Sequence, residues 1–197
     1  VFIILDVESE DMSGDDMKSN YENEVIFNNV NFSYNPEIPV IKDFSLKIPS
    51  GKKVALVGAT GSGKTTITNL LMRFYDPDSG EIYINDQNIA CISKTNLRKN
   101  IGVVLQDTVL FTDTVLNNLK YANENANEEQ IKRAVEMSRI SELIDSFPDK
   151  YQTVLSGAGS NISHGQRQLF AIARAFVADP KILILDEATS NVDTRTE

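Results

Sequence analysis

The segment from Gly58 to Thr65 has the pattern G-x-x-x-x-G-K-[ST], and these residue types are suited to holding a polyphosphate. Glycines let backbone N–H groups face inward around the phosphates, and a following helix adds unpaired donors and a partial positive charge. Lys64 can reach the β- and γ-phosphates, and the Thr65 hydroxyl can ligate Mg²⁺. We therefore predict that this segment and the residue after it bind a nucleotide, through Gly58, Thr60, Gly61, Ser62, Gly63, Lys64, Thr65 and Thr66.

A second candidate site follows the apolar run 182–185, which ends in Asp186 and Glu187. Ligands of open α/β sheets bind at the carboxyl ends of the strands, where these two acids are expected. Asp186 is predicted to hold Mg²⁺ through a water, and Glu187 to orient the attacking water. An apolar run with two acids also fits a strand that leaves the core, but the phosphate-binding pattern upstream favours a functional site.

A third signal is the segment 163–168, which opens a predicted helix. Ser163 is a good N-cap residue, and Gly165 allows a close approach of the backbone to a ligand. This helix start is therefore a second potential anion site. The residues alone leave open whether both anion sites serve one nucleotide.

The elements that must position these residues follow from hydrophobic periodicity and turn signals. The apolar run 53–57 is typical of a central strand covered on both faces. Buried strands that alternate with amphipathic helices indicate an α/β domain around a mostly parallel sheet. Strands are predicted at 25–27, 30–34, 44–48, 53–57, 81–85 and 181–185, and helices at 64–74, 128–147 and 163–178.

Composition limits the class of protein. The 197 residues are 41% hydrophobic and 24% charged, as in a soluble globular domain. Cys91 is the only cysteine, which excludes an internal disulfide, and the longest apolar runs fall far below the about 20 residues of a membrane span. The chain as given is expected to be cytosolic.

The net charge of −9 is concentrated in residues 1–24, where eight acids oppose one base. The rest of the chain therefore carries only −2. A chain with this charge and without basic clusters is not expected to bind nucleic acid broadly. Residues 1–24 are predicted to be a solvated linker.

Taken together, these motifs resemble the nucleotide-binding domain of an ABC transporter of the exporter type. The segment 163–166 matches the family's signature motif, usually Leu-Ser-Gly-Gly-Gln, with Ile162 for the leucine and His164 for the first glycine. Gln106 matches the Q-loop, and Tyr34 lies where the family has an aromatic residue that stacks on adenine. Residues 190–193 match the D-loop, and residues 2–6 resemble the end of the last membrane helix in fused exporters.

The resemblance implies a P-loop NTPase (RecA-like) core with a mostly parallel sheet, an N-terminal antiparallel β subdomain and an inserted α-helical subdomain at about 108–178. Residues 25–197 would be the ATPase domain, and residues 1–24 the acidic linker from a transmembrane domain. ATP and Mg²⁺ are the implied cofactors. The implied catalytic residues are Glu187, Lys64, Gln106, Ser163 and Gly165, and the implied metal ligands are Thr65, Gln106 and Asp186.

The same resemblance implies partners. A second ABC ATPase domain, identical or different, would pair head to tail, so that each ATP lies between one phosphate loop and the partner's signature helix. The transmembrane domain of the same polypeptide would place the assembly at the cytoplasmic face of a membrane. The implied function is ATP-driven export, with dimer closure coupled to transport.

Two departures from the family pattern carry expectations of their own. The switch histidine is expected downstream of the D-loop, but the chain's one histidine is His164. We therefore expect the sequence to be a piece of a longer polypeptide, truncated at both ends and poorly active alone. His164 fits either a tolerated substitution or a pH-sensitive contact to the partner's phosphate. Residues 156–159 lack the acid that exporters often carry before the signature.

Two other function classes are compatible with parts of the pattern. A soluble ABC ATPase that acts on nucleic acid or ribosomes would need a basic surface or an inserted arm, and the sequence offers neither. A phosphate-binding regulatory module without hydrolysis would not need Glu187. The exporter motor domain is therefore the preferred hypothesis.

Overall fold

The computed structural model describes residues 9–18, 24–105, 109–156 and 162–186, and the chain divides into two compact units, Val1–Asn100 and Ile101–Glu197. In both units helices accompany β-sheet, so the chain is α/β, as predicted. None of the described helices has the length and apolar character that crossing a bilayer requires.

The first unit is built on a four-stranded antiparallel sheet with the strand order β2-β1-β3-β4. On the central strand, Phe27 lies opposite Leu46 on one side and Ile82 on the other. Such alternating apolar positions put one face of the sheet in the core. The elements of this unit are β1 (Val25–Phe32), β2 (Ile41–Ile48), α1 (Lys64–Leu71), β3 (Ser79–Ile84), β4 (Gln87–Asn88), a 3₁₀ helix (Ile89–Cys91) and α2 (Lys94–Lys99).

Strand β1 corrects the prediction of two separate strands at 25–27 and 30–34. One strand runs through both segments and absorbs a register shift between Phe27 and Val30, where Asn29 has a φ of 48°. A bulge inserts a residue without ending the ladder, and the polar residues at 28 and 29 hid this continuity. Tyr34 lies beyond the end of the strand.

The predicted central strand at 53–57 is wrong. Residues 52–59 form no strand, and Val57 is 92% exposed. A β-strand requires hydrogen bonds to a neighbouring strand. Every strand pair among the described residues is formed by segments other than 52–59. The apolar run has the hydrophobicity that a buried strand requires, but it does not supply a partner strand.

The second unit contains a parallel pair, β5 and β8, and a small antiparallel pair, β6 and β7. Helices surround a core in which Phe170 and Ile140 are fully buried. The elements are β5 (Ile101–Val104), β6 (Asp113–Thr114), α3 (Val115–Lys120), α4 (Glu128–Met137), α5 (Ser141–Ser146), a 3₁₀ helix (Lys150–Gln152), β7 (Val154–Leu155), α6 (His164–Ala178) and β8 (Ile182–Leu185).

The predicted helix at 128–147 is two helices, because the backbone turns at Arg139, whose φ is 60°. The Ser138 hydroxyl donates to the carbonyl oxygens of Ala134 and Val135 at 2.8 and 3.1 Å, and these bonds complete the end of α4. The apolar residues of the two helices still face one core, in which Ile131, Val135, Ile140 and Ile144 are buried and Leu143 is partly buried.

Residues 9–18 lie along the first unit, and we call them the strap. The Asp15 N–H donates to the Cys91 carbonyl at 2.8 Å, and the Ser93 N–H donates to the Asp15 carbonyl at 2.9 Å. Gly14 has a φ of 134°, and a Cβ there would lie 2.6 Å from the backbone nitrogen of Ser93. All of these residues except Met17 are exposed, as expected of a solvated segment, but the strap is also hydrogen-bonded to the folded unit, which the linker prediction did not include.

Candidate functional site

The phosphate-loop segment joins residues 52–59 to helix α1 in the first unit. Gly61 and Gly63 have φ values of 82° and 91°, in the left-handed region that favours glycine. The Ser62 N–H donates to the Ala59 carbonyl at 3.1 Å and closes a tight turn. Sequence pattern and backbone therefore agree that this is a glycine-dependent loop.

Helix α1 begins directly after Gly63, and no side chain caps its first N–H groups. Those donors are available to an anion at the end of the helix where the dipole favours negative charge. The Thr65 side chain is exposed beside them, whereas Thr66 is buried at 5% exposure. This donor set fits the phosphates of a nucleotide, with one free hydroxyl for a hard cation.

Lys64 lies over the loop. Its Nζ donates to the carbonyl oxygens of Gly58 and Ala59 at 2.8 and 3.0 Å. An ammonium group held among neutral carbonyls can exchange them for phosphate oxygens, which are stronger acceptors because they are charged. The remaining predicted loop residues, Thr60, Gly61 and Ser62, are exposed.

Tyr34 reaches the same region from the end of β1. Its hydroxyl lies 3.3 Å from the Thr66 Oγ1, and 51% of the residue is exposed. The ring packs edge-on against Phe32 and Tyr75, with centroid distances of 4.9 and 5.0 Å. The first unit thus brings the predicted adenine-stacking residue beside the helix that carries the phosphate loop.

In the second unit, Asp186 follows the parallel strand β8, as predicted. Its backbone N–H donates to the Val104 carbonyl at 3.0 Å, so the ends of β5 and β8 lie together. This arrangement places a half-buried carboxylate at the carboxyl edge of the parallel pair. Gln106, Glu187 and the D-loop match at 190–193 lie outside the described residues.

The signature segment begins helix α6 with a complete capping box. The Ser163 Oγ accepts from the Gln166 N–H at 3.2 Å, and the Gln166 Oε1 accepts from the Ser163 N–H at 2.8 Å. These reciprocal bonds fix the first turn, in which Gly165 is half-buried and Ser163 is exposed. His164 is also half-buried in this turn.

One group near the Q-loop was not predicted from the sequence. Arg174 on α6 donates from Nε to the Asn118 carbonyl at 2.8 Å, from Nη1 to the Val109 carbonyl at 2.5 Å, and from Nη2 to the Asn118 Oδ1. Asn118, 1% exposed, also bonds both backbone polar groups of Phe111. Burial lowers the pKa of the Arg174 guanidinium, and the electrostatic interaction with Tyr121 partly offsets this shift by raising the pKa.

These contacts fix the chain on the C-terminal side of Gln106, because Val109 and Phe111 are both held by the Arg174–Asn118 pair. The Arg174 guanidinium lies 5.4 Å from the Phe111 ring centroid and 5.9 Å from that of Tyr121. Beside it is a cavity of about 260 Å³, lined by residues that include Gly102, Leu105 and Ala171. A single arginine on a helix produces no periodic sequence pattern, so these contacts of Arg174 could not be predicted from the sequence.

Comparison with known proteins shows the family of the chain. The ABC transporter family model matches residues 41–190. The chain is 47% identical over all of its 197 residues to the fatty acid ABC transporter ATP-binding/permease protein of Mycobacterium tuberculosis, of which it covers 31%. It is 48% identical over 174 residues, 88% of the chain, to the mitochondrial iron-sulfur clusters transporter atm1 of Neurospora crassa, of which it covers 24%.

Among solved structures, a bacterial Atm1-family ABC exporter with ATP bound matches with a TM-score of 0.90 and 37% sequence identity. The match covers 99% of this chain and 35% of the other. The chain thus spans a quarter to a third of the length of the relatives it matches. The P-loop NTPase fold expected from the sequence is confirmed, and the chain belongs to the ABC transporter family as its ATP-binding domain.

Proposed function

We propose that the chain is the ATP-hydrolysing motor domain of an ABC exporter, acting at the cytoplasmic face of a membrane and coupling ATP-driven dimer closure to export. The observation that carries the proposal is the phosphate loop. Two of its glycines have left-handed backbone conformations, and they lead, beside Lys64, into a helix whose first N–H groups no side chain caps. The relatives named above are an ABC transporter ATP-binding/permease protein and a transporter, and the similar solved structure is an ABC exporter, each in a longer chain. The alternative of a soluble ATPase acting on nucleic acid is not favoured by them.

In the proposed reaction the loop N–H groups and Lys64 hold the β- and γ-phosphates. Thr65, Asp186 and Gln106 would hold Mg²⁺, which neutralises phosphate charge when bound. Glu187 orients the water that attacks the γ-phosphorus, and the terminal phosphate leaves ADP. The partner subunit is proposed to complete the site by placing its own signature helix start, Ser163 and Gly165, on the γ-phosphate.

The membrane partner is proposed to bind the surface that contains Phe111 and Tyr121. Phe111 and Tyr121 are exposed there, and their rings lie 4.4 Å apart over the Arg174 guanidinium. Exposed aromatic side chains that pack beside the hydrogen-bonded Arg174 guanidinium are suited to a protein–protein contact.

Lys64→Ala tests the assignment. Removal of the ammonium group takes away the charged donor over the loop, so the variant is expected to lose most of its affinity for Mg-ATP. Isothermal titration calorimetry of both proteins measures this, with Lys99→Ala as a control for the loss of one positive charge in the same unit. Equal ATP affinity of the wild type and Lys64→Ala would refute the proposal.

A further inference from the structure

Three aromatic rings form a cluster at the edge of the nucleotide region of the first unit. Tyr34 meets Phe32 at 4.9 Å with an interplanar angle of 85°, and meets Tyr75 at 5.0 Å with an angle of 87°. Phe32 and Tyr75 also touch, at 5.5 Å. Aromatic pairs prefer edge-to-face geometry at these distances, so each partner favours one orientation of the Tyr34 ring. Tyr34 is therefore held by two aromatic partners, of which only Phe32 is buried.

Tyr75 lies in a short segment whose two ends are held by hydrogen bonds. The chain leaves α1 through Arg73, whose φ is 52° and whose Nη1 donates to the carbonyl oxygens of Ile89 and Ile92 at 3.0 and 2.8 Å. Beyond it, the Asp78 N–H donates to the Asn31 carbonyl on β1 at 2.9 Å. These bonds fix both ends of the short segment that contains Tyr75. The residue is 45% exposed, so its position serves little in the core.

The hydroxyl end of Tyr34 is directed to α1. It lies 3.3 Å from the Thr66 Oγ1, and the Asn69 Nδ2 lies 3.5 Å from it. Thr66 and Asn69 are on the helix that begins at the phosphate loop, and Tyr75 follows the end of the same helix. The contacts of Tyr34 with Thr66, Asn69 and Tyr75 therefore all involve one continuous segment, which runs from the phosphate loop to Tyr75.

We propose that Tyr75 is a positioning residue for the nucleotide base. Its edge-to-face contact sets the plane of the Tyr34 ring, so that the stacking surface keeps one orientation beside the helix that carries the phosphate loop. The inference rests on the proposed function and on the expected stacking of Tyr34 on the adenine of bound ATP. It predicts that Tyr75 contributes to the binding of the base and not to the binding of the phosphates.

Two ligands separate these contributions. Tyr75→Leu keeps an apolar side chain but removes the aromatic edge, and it is expected to weaken ATP binding about three- to tenfold. Its affinity for Mg-tripolyphosphate, which has no base, should stay that of the wild type. Tyr75→Phe keeps the ring and should restore ATP binding. Both affinities are measured by calorimetry on the whole chain.

Phe74→Leu is the matched control, because Phe74 is a neighbouring exposed aromatic that packs on Arg98 instead of the cluster. It should leave both affinities unchanged. Wild-type ATP affinity in Tyr75→Leu, or an equal loss for ATP and tripolyphosphate, would overturn the positioning role while leaving the proposed function intact. Failure of the wild type to bind either ligand would overturn the proposed function and this inference together.

Discussion

Glu10 and Arg98 form a bidentate ion pair, in which Nη1 donates to Oε2 at 2.8 Å and Nη2 donates to Oε1 at 2.9 Å. Lys94 donates to the same Oε1 at 3.0 Å. Arg98 also bonds the carbonyl oxygens of Met72 and Arg73 at 3.0 and 2.8 Å, and its guanidinium lies over the Phe74 ring. One arginine thus connects the strap to the end of helix α1.

Glu10→Gln should loosen the strap without unfolding the unit. The amide keeps the shape of the carboxylate but loses the charge, so both cationic partners bind it more weakly. We expect faster hydrogen exchange at the backbone amides of Asp15, Met17 and Lys18, which all bond to the folded unit. Glu37→Gln, at an exposed acid of the same unit, is the control. Unchanged exchange in Glu10→Gln would show that the backbone bonds alone hold the strap.

The same pair predicts a pH dependence. Hydrogen bonds from Arg98 and Lys94 lower the pKa of Glu10 from 4.5 to about 2. A lowered carboxyl pKa stabilises the folded state above pH 4.5, and this contribution is lost as the pH falls from 4.5 towards 2. The difference in free energy of unfolding between the wild type and Glu10→Gln should therefore be constant from pH 7 to 5 and shrink below 4.5. Denaturant titrations at each pH measure it, and a difference that does not change between pH 7 and 3 would contradict the assignment.

Tyr34 variants test stacking on the base. Tyr34→Phe should bind ATP within about twofold of the wild type, because a hydroxyl contact of 3.3 Å is long for an O–H···O hydrogen bond. Tyr34→Ala should weaken ATP about tenfold or more, since a stacked base is worth about 1–3 kcal/mol. Calorimetry gives both affinities. If phenylalanine and alanine weakened binding equally, Tyr34 would not act through its ring.

Hydrolysis should separate from binding at Glu187. Glu187→Gln is expected to abolish turnover and to keep ATP affinity, because the amide cannot orient the attacking water as the carboxylate does. In the proposed dimer two chains build each site, so ATPase activity of the wild-type chain should be slow and should rise more than linearly with protein concentration. Phosphate release at a series of concentrations measures it. Fast hydrolysis in strict proportion to concentration would mean that one chain completes its own site.

Local patterns predicted the elements whose geometry depends on nearby residues. The phosphate loop, the Ser163 N-cap of α6 and strand β8 before Asp186 all follow from short-range rules, since glycine freedom, N-cap chemistry and an apolar run act within a few residues. The resemblance added Tyr34, which the structure places beside Thr66. Gln106 and Glu187 stay predictions.

Long-range contacts were not predictable from the same patterns. Residues 52–59 have the composition of a buried strand, but strand formation depends on a partner that the pattern does not contain. The strap has the composition of a solvated linker, yet Glu10 meets cations on α2, far along the chain. Arg174 and Tyr75 are single side chains whose role follows only from what the fold places around them.

The strap also gives the first unit a direction of mechanical loading. Tension applied to the chain at residue 9 would reach the Glu10–Arg98 pair before the backbone bonds of Asp15. From Arg98 it would pass to the carbonyl oxygens at the end of α1, whose other end is the phosphate loop. Arg98 therefore gives a pull on the N-terminal side of the strap a direct path to the end of the nucleotide-binding helix, in addition to the path through its own helix α2.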